Sequence, residues 1–188
     1  WLSNEGVLMF SFVIKEDKLI PIEEYMKLPL IIGISLLEAL KEVEDLPYKF
    51  KWTNDIYLYD KKLSGILIEK TSEDFIVGIG VNLNILDLEN LNAISLKLVT
   101  EKNYDKISIV KIVLKKVKEF LYDFYRGNWS MLLQKINENN YLKDKKVKFL
   151  APNREYNGIV KSINLEGELE LEEEGNTYLL KIGEVSTR

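Results

Sequence analysis

Cysteine and histidine are both missing from the 188 residues. The lack of cysteine excludes disulfides and thiolate nucleophiles, and it fits a reducing compartment, so a cytoplasmic location is expected. The lack of histidine is more restrictive. It excludes a serine–histidine triad, a cysteine–histidine dyad and histidine-ligated zinc within this chain. Catalysis here must rest on lysine, arginine, carboxylates, hydroxyls, backbone amides or a bound Mg²⁺. Such a set suits chemistry on phosphates, where positioning and charge neutralisation outweigh proton shuttling. Long apolar runs are also missing. The longest, residues 28–37, contains Pro29 and Gly33 and falls well short of the roughly 20 residues that span a bilayer; it reads as a buried helix, and no membrane association is expected. Residues 1–14 lack the basic leader and small-residue cleavage site of a signal peptide. There is no basic excess either: 26 lysines and arginines face 30 carboxylates, a net charge of −4, which argues against a nucleic-acid partner.

What is present is a chain with 46% hydrophobic residues, enough for a real core. Residues 7–14 (VLMFSFVI) are nearly all apolar and predict a central strand buried on both faces. Leu30, Ile34, Leu37 and Leu40 fall at helical spacing within 21–43. Three short strands follow at 49–52, 56–59 and 62–69, separated by the turn formers Thr53-Asn54-Asp55 and Asp60-Lys61. Residues 75–82 (FIVGIGVN) predict another strand covered on both sides. Val110, Val113, Leu114, Val117, Leu121 and Phe124 mark one stripe of a helix over 105–126, ended by Gly127, and a shorter helix is expected over 129–138. After Tyr141 the texture changes to short strands at 147–150, 156–163, 168–172 and 177–182. In the run GELELEEEG, Leu169 and Leu171 point inward, with Glu168, Glu170 and Glu172 outward. About 45 residues of short strands suggest a small barrel that docks on the first domain for stability.

The informative stretch is 51–69, KWTNDIYLYDKKLSGILIE. Two lysines flank a hairpin, Asn54-Asp55 stands at its entrance, and Gly65 interrupts an apolar strand, which often signals close approach of a ligand or another backbone. Gly78 and Gly80, two apart, share one strand face, with Asn82 next on that face. A strip without side chains, ending in an amide, suits the floor of a site for a flat ligand, and Asn82 has the donor and acceptor to read an adenine edge. Each feature alone also suits a plainer structure, namely a solvated hairpin or glycines that let a helix pack close.

Taken together, these segments resemble the biotin protein ligase family. Its KWPND element is matched by KWTND at 51–55, its K-x-x-G-I-L element by KLSGIL at 62–67, and its G-x-G-[IV]-N element by GIGVN at 78–82. The opening WLSNEG is similar to the family's W-x-S-x-x-G segment, and the ending, closed by GEVSTR, to its C-terminal SH3-like domain. The resemblance implies an α+β fold: a mixed sheet with helices on one side over residues 1–141, plus a small SH3-like β-barrel over 142–188. It implies an ATP-dependent ligase that forms biotinyl-adenylate and transfers biotin to a lysine of a carboxylase's biotin carboxyl carrier domain, with Mg²⁺ carried on the ATP.

Carried over residue by residue, Lys62 contacts the biotin carboxylate and the phosphoryl oxygens, where an ammonium offsets the repulsion of two anions. Asp55 organises the site and orients the incoming amine. Gly65, Leu67, Gly78 and Val81 line the biotin site with Lys62. Trp1 and Asn82 stand at the adenine; Asn54 and Lys51 support the nucleotide site, and Arg188 reaches it from the barrel. No protein-held metal site is implied. The family's GRGRxGR loop, which precedes the matching tryptophan, has no counterpart in the 188 residues. The chain as given is therefore expected to adenylate biotin poorly or not at all, as a fragment or truncated product, and to leave a sheet edge open to homodimer formation. A lipoate–protein ligase is the nearest alternative, and a non-catalytic interaction module is the alternative from another class.

Overall fold

A computed structural model describes residues 5–17, 21–88 and 91–187. Five strands form the first sheet: β1 (Val7–Lys15), β2 (Lys49–Lys51), β3 (Asp55–Leu58), β4 (Lys61–Lys70) and β5 (Asp74–Asn82). Their order is β1-β5-β4-β3-β2, and every pairing is antiparallel. The expected mixed sheet is thus corrected. Strands β2 to β5 follow one another through tight turns, and a hairpin connection enforces antiparallel pairing. The only parallel pairings among the described residues are two isolated bridges, Phe50 with Asn140 and Lys62 with Ala93.

One sheet face is covered by helices. A 3-10 turn (Ile22–Lys27) leads into α1 (Leu28–Val43), which starts with a proline in its first turn and buries residues on nearly every side. Gly33 brings α1 against the Phe50 ring of β2, where an added Cβ would collide with that ring. The short helix α2 (Leu96–Thr100), not anticipated from the sequence, is capped by the Ser95 hydroxyl. Helix α3 (Lys106–Tyr125) packs on α1, and α4 (Trp129–Glu138) packs on both.

The opposite face is open, so two expectations are corrected. Strand β1 is an edge strand within the described sheet, not a central one, with Met9 49% and Val13 57% exposed. On β5, Ile76 and Gly78 look out while Val77, Ile79 and Val81 are buried against the helices. An apolar run cannot distinguish one covered face from two when small or aliphatic residues occupy both.

The C-terminal strands β6 (Lys146–Ala151), β7 (Arg154–Ile163), β8 (Leu169–Glu173), β9 (Asn176–Leu180) and β10 (Glu184–Thr187) form a second antiparallel sheet, ordered β10-β6-β7-β8-β9. The sheet has one strand more than expected: the strand read at 177–182 is β9, and β10 was not anticipated. Its ends, β9 and β10, are not paired with each other among the described residues. Leu169 and Leu171 are fully buried, as the alternation predicts. Glu168 departs from it, being buried and paired with Lys181.

This sheet docks through side-chain donors aimed at backbone. Trp129 Nε1 donates to the Leu165 carbonyl (2.6 Å), Trp52 Nε1 to the Gly167 carbonyl (3.1 Å), and Asn137 exchanges two hydrogen bonds with Ile163. Buried apolar residues of both sheets form one continuous core. No helix among the described residues is long and apolar enough to cross a membrane.

Candidate functional site

On the open face lies a cavity of about 500 Å³, lined by Met9, Phe10, Ser11, Asn54, Asp55, Lys62, Gly65, Ile66, Leu67, Gly78, Ile79 and Gly80. The volume suits a small organic ligand. Strand register builds it: Gly80 stands between Met9 and Gly65, and Gly78 between Ser11 and Leu67. The three glycines therefore adjoin on one face of two neighbouring strands, β4 and β5, and leave a bare floor. At Gly78 the floor is open, since an added Cβ would come no closer than 3.7 Å to Ser11 Oγ and 3.9 Å to the Leu67 carbonyl oxygen. Among the described residues no helix sits on it. Leu67 and Met9 rise at the sides as apolar walls, 62% and 49% exposed.

Charge is concentrated at one end. Lys62 Nζ lies 2.7 Å from Asp55 Oδ1, with side chains 36% and 17% exposed. Asp55 is placed by β3 pairing opposite Gly65. Asn54 anchors the preceding turn to β4 twice: its Nδ2 donates to the Ile66 carbonyl (2.8 Å), and its own carbonyl accepts from Ile66 N–H (2.9 Å). The Trp52–Thr53 peptide in the same turn is cis. Lys62 sits where the β3–β4 register slips. Its backbone turns instead to the segment before α2, donating to the Asn92 carbonyl (3.1 Å) and accepting from Ile94 N–H (2.9 Å). A cation is thus held on a doubly anchored backbone at the mouth of an apolar, glycine-floored trough.

The remaining sequence-predicted residues fall elsewhere. Asn82 is 5% exposed and outside the described lining; its Nδ2 donates to the Ile94 carbonyl (3.1 Å), so its amide braces the segment that holds Lys62. Val81 is fully buried on the helical side, the consequence of strand alternation next to Gly80. Lys51 also lies outside the lining, with Nζ donating to the Tyr57 hydroxyl (3.3 Å) and stacked over that ring. Burial holds its ammonium below the ordinary value, opposed by the nearby Asp55 carboxylate. Trp1 and Arg188 lie outside the described residues. Sequence reasoning missed Met9 and Ser11. Alternation along β1 puts them on one face, but only the β1–β5 register brings that face to the glycines.

The donor set does not fit a protein-held metal. Among the described residues no three carboxylates gather, and Asp55, the one carboxylate in the described lining, is already paired with Lys62.

The biotin/lipoate A/B protein ligase family matches residues 1–85. The Escherichia coli bifunctional ligase/repressor BirA is 27% identical over 170 residues, covering 86% of this chain and 53% of the relative. Biotin–protein ligase 2 of Arabidopsis thaliana is 37% identical over 95 residues, covering 45% of this chain and 27% of the relative. The chain thus spans about half, or less, of the length of these curated relatives. Among solved structures, the Aquifex aeolicus biotin protein ligase in complex with biotin and ATP superposes with a TM-score of 0.89 at 32% identity, covering all of this chain and 81% of that one.

Proposed function

The chain belongs to the biotin protein ligase family, and from that premise we propose that it carries the adenylation and transfer site of an ATP-dependent biotin–protein ligase. The observation that carries the reading is the meeting of Lys62, Asp55 and the floor of Gly65, Gly78 and Gly80 in one cavity. It also rests on likeness to a ligase solved with biotin and ATP.

In the first step a biotin carboxylate oxygen attacks the α-phosphorus of ATP. An acyl–phosphate bond forms, the α–β phosphoanhydride bond breaks, and pyrophosphate leaves. Both reactants are anionic, so the Lys62 ammonium is the group that makes their approach affordable, and its value rises as the trough excludes water. The bare floor admits the ring system of biotin, while Leu67 covers its apolar surface. In the second step the amine of a carrier lysine attacks the acyl carbon, an amide forms, and AMP departs with the electron pair of the broken C–O bond. Asp55 orients that amine and accepts its proton.

Mg²⁺ arrives with the phosphates of ATP, where it would offset their charge. Asn82, Asn54 and Lys51 act by bracing the site. Residues 1–141 form the catalytic unit, 142–188 an SH3-like module, and the carrier domain of a carboxylase is the protein partner, met in the cytoplasm.

The test is exchange of labelled pyrophosphate into ATP, driven by biotin or by lipoate, on this chain and on a form extended at its amino end to the length of its relatives. Biotin-dependent exchange supports the reading. Exchange driven by lipoate alone, or by neither compound in either form, overturns it. In the active form Lys62→Ala should lower exchange by about 100-fold or more while the circular dichroism and melting profile stay unchanged.

A further inference from the structure

The docking of the second sheet bears directly on the cavity. Trp52, the aromatic residue of KWTND, does not face the trough. It is 4% exposed, its indole N–H donates to the Gly167 carbonyl, and its ring lies 5.8 Å from that of Phe149 on β6. Two residues later comes Asn54, and three later Asp55, both in the cavity wall. The segment that sets the carboxylate is therefore gripped on one side by β4, through Asn54 and Ile66, and on the other by the C-terminal sheet.

The surface that receives Trp52 is a closed turn, not a loose loop. Asn164 Oδ1 accepts from the N–H groups of both Glu166 and Glu168, Gly167 N–H donates to the Asn164 carbonyl, and Asn164 Nδ2 donates to Glu168. Gly167 takes a positive φ of 83°, and an added Cβ would come within 3.0 Å of Leu30 on α1. From behind, Trp129 fastens the Leu165 carbonyl and Asn137 fastens Ile163. A rigid turn fixed to α4 can hold the indole in one position, and a three-residue tether conveys that position to Asp55.

We infer that Trp52 is a positioning residue through which the 164–168 turn of the C-terminal sheet sets the Asn54–Asp55 wall of the cavity. The sheet is then a working part of the site and not an appended module. Its catalytic meaning rests on the ligase reading above; the mechanical coupling does not.

Trp52→Phe keeps an aromatic ring against Phe149 and removes the N–H donor. Asn137→Ala loosens the same sheet at α4 without touching Trp52, and so isolates simple undocking. Hydrogen exchange followed by mass spectrometry on the 188-residue chain reads both. In W52F, exchange of the 53–56 and 64–66 amides should accelerate about tenfold, with β5 and β6–β8 amides unchanged. In N137A the acceleration should be largest over 147–163 and reach 53–56 only weakly, well below its size in W52F, because Trp129 still fastens the turn at Leu165. If W52F leaves 53–56 unaltered, or N137A accelerates it equally, Trp52 is only domain glue and the inference fails. These readouts need no ligand, so they stand or fall separately from biotin-dependent exchange. In the active extended form, W52F should lower kcat about tenfold with less than a twofold change in KM for biotin. Rescue of exchange protection and of kcat together is expected from an isosteric tryptophan analogue that retains the ring N–H, and not from one that lacks it.

Discussion

At position 78 folding asks nothing of glycine. A methyl group there would meet Ser11 Oγ at 3.7 Å and Leu67 at 3.9–4.0 Å, ordinary contacts, and the backbone is that of an extended strand. Glycine within a strand costs conformational entropy, so its use in the cavity floor is better explained by what must lie above it. Gly78→Ala is expected to hold or raise stability by up to about 1 kcal/mol, while biotin affinity falls at least tenfold. Urea denaturation and calorimetric titration would measure the two effects, and a loss of stability with unchanged binding would contradict the assignment. Gly33 is the opposite case. The Phe50 ring fills the space a methyl would need, and Gly33→Ala pays only a packing penalty, with no ligand involved.

Among the elements, the short α2 shows how a piece with no catalytic group governs one that has it. Ser95 is fully buried; its hydroxyl accepts from Leu98 N–H as the helix cap and donates to the Ile85 carbonyl. That fixes the strand-like segment whose Asn92 and Ile94 hold the Lys62 backbone, with Asn82 bracing Ile94 from β5. Ser95→Ala removes the cap and strands a buried carbonyl, a cost of about 1–3 kcal/mol. Urea denaturation should record that loss, and hydrogen exchange should quicken at the Lys62 and Ile94 amides. If those amides stay protected, the segment is held by other contacts.

At the scale of the whole molecule, two sheets share one core and meet at the 164–168 turn. Glu168 closes that turn. Its carboxylate accepts from Asn164 and pairs with Lys181, and these two partners hold it below its ordinary value of 4.5. A carboxylate so held contributes its stability in full above 4.5 and gives it up as the pH falls through its lowered value. Between pH 7 and pH 3 the melting temperature of the wild-type chain should therefore drop further than that of Glu168→Gln, which lacks the titration. Equal drops would mean that the turn contributes nothing to acid sensitivity.

Much of this was legible in the amino acids. The helices read over 105–126 and 129–138 from apolar stripes and a terminating Gly127 stand at 106–125 and 129–138, and the β4 and β5 strands follow from β-branched runs between turn formers. The candidate chemistry came through the resemblance of several motifs in order, since an ammonium, a carboxylate or an interrupting glycine taken singly also suits a plainer structure. Alternation gave the inward face of β8, but which face of the near-continuous apolar strands of the first sheet meets solvent, and what lies beside it, was not legible. Periodicity along one strand is silent about register with another, so Met9 and Ser11 went unseen at the cavity and β1 was placed in the middle of the sheet, whereas alternation beside Gly80 already turns Val81 to the helical side. Trp52 makes the same point. Its neighbours in sequence face the cavity, yet its partner is a carbonyl 115 residues away. The sequence by itself determined the kinds of groups available and the local elements that carry them. Tertiary structure alone decided which of them meet, because contacts between distant residues are selected by burial and backbone hydrogen bonding across the whole chain, and not by any pattern within one segment.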